Sequence, residues 1–153
     1  MHAPWLTLAV SAALACALTA PARADDAKVR ETLEKAGLIG VWAQDCSKPA
    51  SVDNGYETIA VGADGAVMSR YDTGTSETSD YRFLDARTNK RGDVITLERW
   101  LETGALNDAI YRIEGDRQTT WENLDEETEK VLVADGKFTS SGQTNPWYYR
   151  CKR

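Results

Sequence analysis

From Leu38 onward apolar and polar residues follow a period of two, and turn-forming residues interrupt the pattern about every 8–12 residues. That period puts successive side chains on opposite faces of an extended strand. It predicts strands at 39–45, 56–61, 66–71, 80–88, 94–102, 109–114, 118–124, 130–133 and 147–152. The stretch 94–102 (VITLERWLE) is the clearest, with β-branched and aromatic residues throughout. Ala63-Asp64-Gly65 makes a hairpin of the second and third strands, and 73–78 (TGTSET) reads as a polar loop. One segment departs from this period. Residues 25–37 (DDAKVRETLEKAG) begin with acids, space Val29 and Leu33 four apart and end on Gly37, which predicts a short amphipathic helix.

About eight short strands joined by local turns pair as sequential antiparallel neighbours, giving a meander. A meander must deal with its edges, and closure into a barrel is the usual solution. A two-sheet sandwich satisfies the same strand count. Cys46 follows the first predicted strand and Cys151 lies on the last. In an oxidising compartment the pair predicts a disulfide, with two free thiols or an intermolecular bridge as the alternatives. A bridge needs Cα atoms within about 7 Å, so it would make neighbours of the first and last strands, as closure does. The expected fold is an all-β antiparallel barrel over 38–153, preceded by the helix at 25–37.

The beginning of the chain changes the picture of compartment. Residues 6–18 (LTLAVSAALACAL) are apolar and uncharged, and Ala22-Arg23-Ala24 supplies small residues where a signal peptidase reads. This predicts a secretory signal peptide over 1–24, cleaved after Ala24, and a periplasmic or extracellular protein. A short membrane anchor and lipidation at Cys16 are the alternatives. Cleavage removes Arg23 and leaves 24 Asp and Glu against 17 Lys and Arg. An acidic surface without a basic patch argues against nucleic acid as a partner and against membrane insertion after cleavage.

Candidate chemistry is sparse. The single histidine, His2, falls in the leader, which excludes imidazole-based catalysis and His-ligated metals from the remainder. A bridged Cys46 and Cys151 would offer no thiolate. There is no glycine-rich phosphate loop. Twenty-four acidic residues make chance carboxylate pairs common, so their number decides nothing. No catalytic residue, metal or cofactor is expected. Arg91-Gly92-Asp93 and the acidic run 125–129 (DEETE) read as solvated turns.

The aromatic residues say more. On 94–102, Ile95, Leu97, Arg99 and Leu101 share one face, and Thr96, Glu98 and Trp100 share the other. Tyr111 lies with Ala109 and Ile113, Trp121 with Thr119 and Asn123, and Tyr81 and Phe83 with Asp85 and Arg87. Faces that mix rings with polar groups suit a lumen that holds a small molecule; ordinary core filling is the alternative. Arg99, Tyr111 and Trp121 are the expected ligand contacts.

Gly40-Val41-Trp42, on a first strand after a short helix and ahead of a meander, resembles the Gly-x-Trp start of lipocalins and the wider calycin group, avidin-like barrels included. The resemblance implies that Trp42 packs across the closed end of the barrel and that Arg150 on the last strand packs over it, both as structural residues. Small periplasmic proteinase inhibitors share this barrel, so the resemblance carries fold further than function. The first functional expectation is a non-enzymatic barrel for a small, partly apolar ligand. The second is a periplasmic protein-interaction module, an inhibitor or envelope accessory protein, using the helix and the loop at 137–146.

Overall fold

A computed structural model describes residues 24–151. The leader reading rests on residues of which 1–23 lie outside that range. The helix α1 spans Ala24–Lys35, with Asp25 and Asp26 in its first turn and Lys35 in its last, each opposite in sign to the helix end it faces. A Schellman motif stops it. Leu38 N donates to Leu33 O (2.8 Å) and Gly37 N to Glu34 O (3.0 Å), with Gly37 at φ 71°. The apolar contact of that motif is Leu33 with Leu38, both fully buried. No helix among the described residues is long and apolar enough to cross a membrane.

The strands are β1 (Gly40–Ala43), β2 (Tyr56–Val61), β3 (Val67–Asp72), β4 (Thr78–Thr88), β5 (Val94–Trp100), β6 (Leu106–Glu114), β7 (Arg117–Asp125), β8 (Lys130–Ala134), β9 (Lys137–Phe138) and β10 (Tyr148–Arg150). Each pairs antiparallel with the next from β1 to β9, as local turns dictate. Closure comes from β10, which pairs with β1 (Trp42↔Arg150) and with the start of β7 (Tyr148↔Gln118). Strands β1–β7 and β10 therefore form a closed eight-stranded antiparallel barrel, and the sandwich alternative fails at this double pairing. Cys46 and Cys151 are bonded across the same seam, with Cα atoms 5.4 Å apart.

Several strand boundaries differ from expectation, three of them instructively. β4 starts at Thr78, inside the expected loop, because Thr78 and Ser79 complete the ladder with Asp72 and Tyr71. β6 starts at Leu106, opposite Arg99, and β5 stops at Trp100, where Gly104 N donates to Trp100 O (2.9 Å) and closes the turn. In place of one long loop after residue 134, β9 folds back on β8. β8 pairs with the end of β7, which β10 does not reach, so the β8–β9 arm extends the wall there.

The barrel is solid at the end that carries the β2–β3 and β4–β5 turns. Val29 and Leu33 of α1 join Leu38, Trp42, Val67 and Phe83 in one buried cluster. Trp42 is 0% exposed, and its Nε1 donates to Leu38 O at 2.8 Å. The Arg150 guanidinium lies 4.2 Å from the Trp42 ring centroid and donates to Ile39 O (3.0 Å) and to Gly37 O. Gly40 is required by this approach: a Cβ there would stand 2.6 Å from Arg150 Nη1. The helix is tied down by Arg82, whose Nη2 donates to both oxygens of the Asp26 carboxylate at 3.0 Å.

Candidate functional site

At the opposite end the strands enclose a cavity of about 340 Å³. It is built from the first residues of β2, β4 and β6 and the last of β3 and β5, which bring Glu57, Tyr71, Tyr81, Trp100 and Asn107 to one level. Alternation then brings in Glu98 and Tyr111 below them, and β7 supplies Gln118, Thr120 and Asn123. The β8–β9 arm contributes Leu132, Val133 and Phe138, and Asn145 beyond it is buried with Nδ2 donating to Thr120 O (2.8 Å). The arm is thus part of the cavity wall.

Two carboxylates face this space. Glu57 accepts from Ser69 Oγ (2.9 Å) and Gln118 Nε2 (2.8 Å). Glu98 is 3% exposed and accepts from Thr96 Oγ1 at 2.7 Å. Burial raises the Glu98 carboxyl to about 7; hydrogen bonds from Thr96 and Tyr111 oppose the rise, and the Glu57 charge adds to it. Burial also raises Glu57, against the two donors that hold it. The Tyr81, Tyr111 and Tyr148 hydroxyls are all raised above the usual phenol range, first by burial, with the glutamate charges contributing.

The rings are arranged edge to face. Tyr81 meets Trp100 at 4.8 Å between centroids and 88° between planes. Tyr71 and Tyr148 share a hydroxyl–hydroxyl hydrogen bond of 3.1 Å. In the amide orientation that satisfies both its ends, Asn107 accepts from Trp100 Nε1 at 2.8 Å and donates to Leu106 O at 2.9 Å. Among the described residues no group of three or more His, Cys, Asp or Glu side chains is placed to hold a metal ion.

Of the three expected contacts, the structure places Tyr111 in the cavity wall. Arg99 is corrected to the outer surface: it is exposed, because its neighbours Glu98 and Trp100 take the inward positions of β5. Trp121 is corrected as well. The β6–β7 register passes from Ile110↔Glu122 to Tyr111↔Thr120, so Trp121 is the extra residue of a bulge. It leaves the lining and lies under the Arg112 guanidinium, 3.5 Å from the ring centroid, with Gly136 against its ring. Trp42 and Arg150 sit at the solid end, away from the cavity.

Sequence reasoning missed Glu57 and Glu98. A signal existed for each. Glu57 shares its strand face with the apolar Ile59, and Glu98 stands between Thr96 and Trp100 on the face of β5 that begins with the buried Val94. A second, outer cleft of about 410 Å³ lies along Ile95, Ile110, Leu124 and Val131, rimmed by exposed charges. Apart from Asn123, which lines both, it lacks the buried polar side chains that set the lumen apart.

No family model, curated protein or solved structure matches this chain.

Proposed function

We propose that this chain is a calycin-like, non-enzymatic binding barrel of the periplasm or cell exterior, holding a small, partly apolar ligand in its lumen. The observation that carries the reading is the cavity itself: about 340 Å³, walled by aromatic rings interspersed with inward-facing polar side chains. Pockets for small molecules run from about 300 to 1,000 Å³ and combine apolar walls with a few placed polar groups. Trp42 beneath Arg150, at the opposite end, accords with the calycin arrangement. The bonded Cys46 and Cys151 are compatible with an oxidising compartment, as the leader pattern requires.

The test is native mass spectrometry of the disulfide-bonded protein purified from its own host, before and after organic extraction, with intrinsic tryptophan fluorescence as the readout of rebinding. A small-molecule adduct that is extracted and restored supports the reading. A chain free of adducts whose fluorescence responds to no small molecule overturns it. A protein-interaction role is supported less well, because Val29 and Leu33 are buried against the barrel and leave α1 without a free apolar face.

A further inference from the structure

We propose that the ligand of the lumen is a protonated organic amine, held by Glu57 and Glu98 inside a box of aromatic rings. The inference rests on the lumen-binding reading above and names its ligand class.

The first ground is charge. Glu57 comes from β2 and Glu98 from β5, and both line one cavity. Among the described residues lining it there is no Lys, Arg or His. This differs from the carboxylates elsewhere that meet arginines, such as Asp26 with Arg82 or Asp93 with Arg112. A buried carboxylate without a cation is costly, and an ammonium ion between two of them relieves both.

The second ground is the balance of donors and acceptors. Several of the wall's donors are engaged within the wall. Ser69 Oγ and Gln118 Nε2 serve Glu57, Thr96 Oγ1 serves Glu98, Trp100 Nε1 serves Asn107, and Asn145 Nδ2 serves the Thr120 carbonyl. Acceptors remain over. Gln118 is 1% exposed and its Oε1 has no protein partner, nor has Asn123 Oδ1. These amide oxygens add the negative ends of two dipoles to a wall that already holds two carboxylates. A polyol presents acceptors as well as donors and fits such a wall poorly. An ammonium group is all donor.

The third ground is shape. Tyr71, Tyr81, Trp100, Tyr111 and Tyr148 surround the same space. Aromatic faces attract a cation, the more strongly when water is excluded. They also accept the apolar body that carries the amine. Among the described residues no third carboxylate, His or Cys joins the two glutamates, and the rings that fill the space suit an organic cation better than a metal ion.

The experiment uses one skeleton in three charge states: 2-phenylethylamine, 2-phenylethanol and 3-phenylpropionate, titrated calorimetrically into the disulfide-bonded protein at pH 8. The amine should bind at least about tenfold more tightly than the alcohol, and the carboxylate should not bind. Glu98→Gln and Glu57→Gln keep the side-chain shape. Each should lower amine affinity by about tenfold while leaving the alcohol within about twofold. Thermal melts show that the variants fold, and the ligand series on the unaltered chain stands without them. Equal binding of amine and alcohol, or an undiminished amine preference in both variants, overturns the proposal. If all three probes fail while an extracted neutral molecule rebinds, the amine inference falls and the lumen reading survives. If nothing rebinds, both fall.

Discussion

At one end of this barrel an arginine meets every group it needs; at the other, two glutamates meet no cation. Arg150 stacks on Trp42, donates to the carbonyls of Gly37 and Ile39, and has Asp116 within 4.0 Å. Its charge, its donors and its flat face are all matched, and the surrounding side chains are fully packed. Glu57 and Glu98 are hydrogen-bonded but have no cationic partner, and they border a cavity. The same strands build both ends. A buried polar group that is completely satisfied rigidifies a fold, whereas one left partly satisfied costs stability and persists where function requires it.

The largest effect should come from the solid end. Trp42→Ala removes a fully buried ring that supports α1, Leu38 and Arg150 at once, and should cost about 3–5 kcal/mol in urea unfolding. Trp100→Ala at the cavity, where the ring is half-buried, should cost less than half as much. Equal losses would erase the contrast between a packed end and a binding end.

Close behind stands the seam. The bridge from Cys46 to Cys151 closes a loop with a sequence separation of 105 residues. In the chain-entropy account a loop of about 100 residues is worth 4–5 kcal/mol, and native bridges in small secreted domains give about 2–5. Replacing both cysteines with serine should lower stability by that amount without changing the ligand preference of the lumen. A loss below about 1 kcal/mol would mean that strand pairing alone fastens the barrel.

The third effect belongs to the cavity and has a definite sign with pH. Glu98 releases its proton near 7 when folded and near 4.5 when unfolded. Between those values the folded chain holds a proton that the unfolded chain has lost. Its contribution is therefore full below about 4.5 and disappears as pH rises through about 7. At about 1.4 kcal/mol per pKa unit, the change is about 3 kcal/mol at most. Glu57, also raised, acts in the same direction. The hydroxyls of Tyr81 on β4, Tyr111 on β6 and Tyr148 on β10, all raised, keep their protons throughout this window; β3 contributes the Tyr71 hydroxyl and β7 only amides and a hydroxyl to the wall. Glu98→Gln should flatten the urea-unfolding profile between pH 4.5 and 7 and raise stability at pH 8. An unchanged slope would show that Glu98 is not the titrating group.

Much of the solid end was legible from residue order. The local turns and the two cysteines implied closure, and the placing of Arg150 over Trp42 was what the calycin resemblance of Gly40-Val41-Trp42 implied. The cavity was harder to read, and β5 shows why. Its aliphatic Ile95 and Leu97 face outward, Ile95 into the outer cleft, while Glu98 and Trp100 face in along with Val94 and Thr96. The usual rule, apolar inside, holds for a filled core and reverses where the interior is a polar-lined lumen. On β7 the obstacle was different. A one-residue bulge at Trp121 shifts the phase of alternation, and a bulge depends on pairing with β6 and β8, which no single strand's sequence encodes.

The smallest effect gives the cleanest test of that inversion. Arg99 stands on the outer face of β5 directly opposite Arg82 on β4. Arg82 is already engaged with Asp26 on α1. Like charges opposite one another across an antiparallel pair are mildly unfavourable, and opposite charges contribute about 0.2–1 kcal/mol. Arg99→Glu should therefore stabilise the chain by a few tenths of a kcal/mol, an amount reduced by salt because the site is exposed. Placed outside the wall, the new carboxylate should leave the amine affinity of the lumen within about twofold. If Arg99 pointed inward, the same substitution would put a third carboxylate among Glu57 and Glu98 and change that affinity on the order of tenfold. Denaturant midpoints and amine titration on this one variant thus report, independently, on which face of β5 the lumen uses.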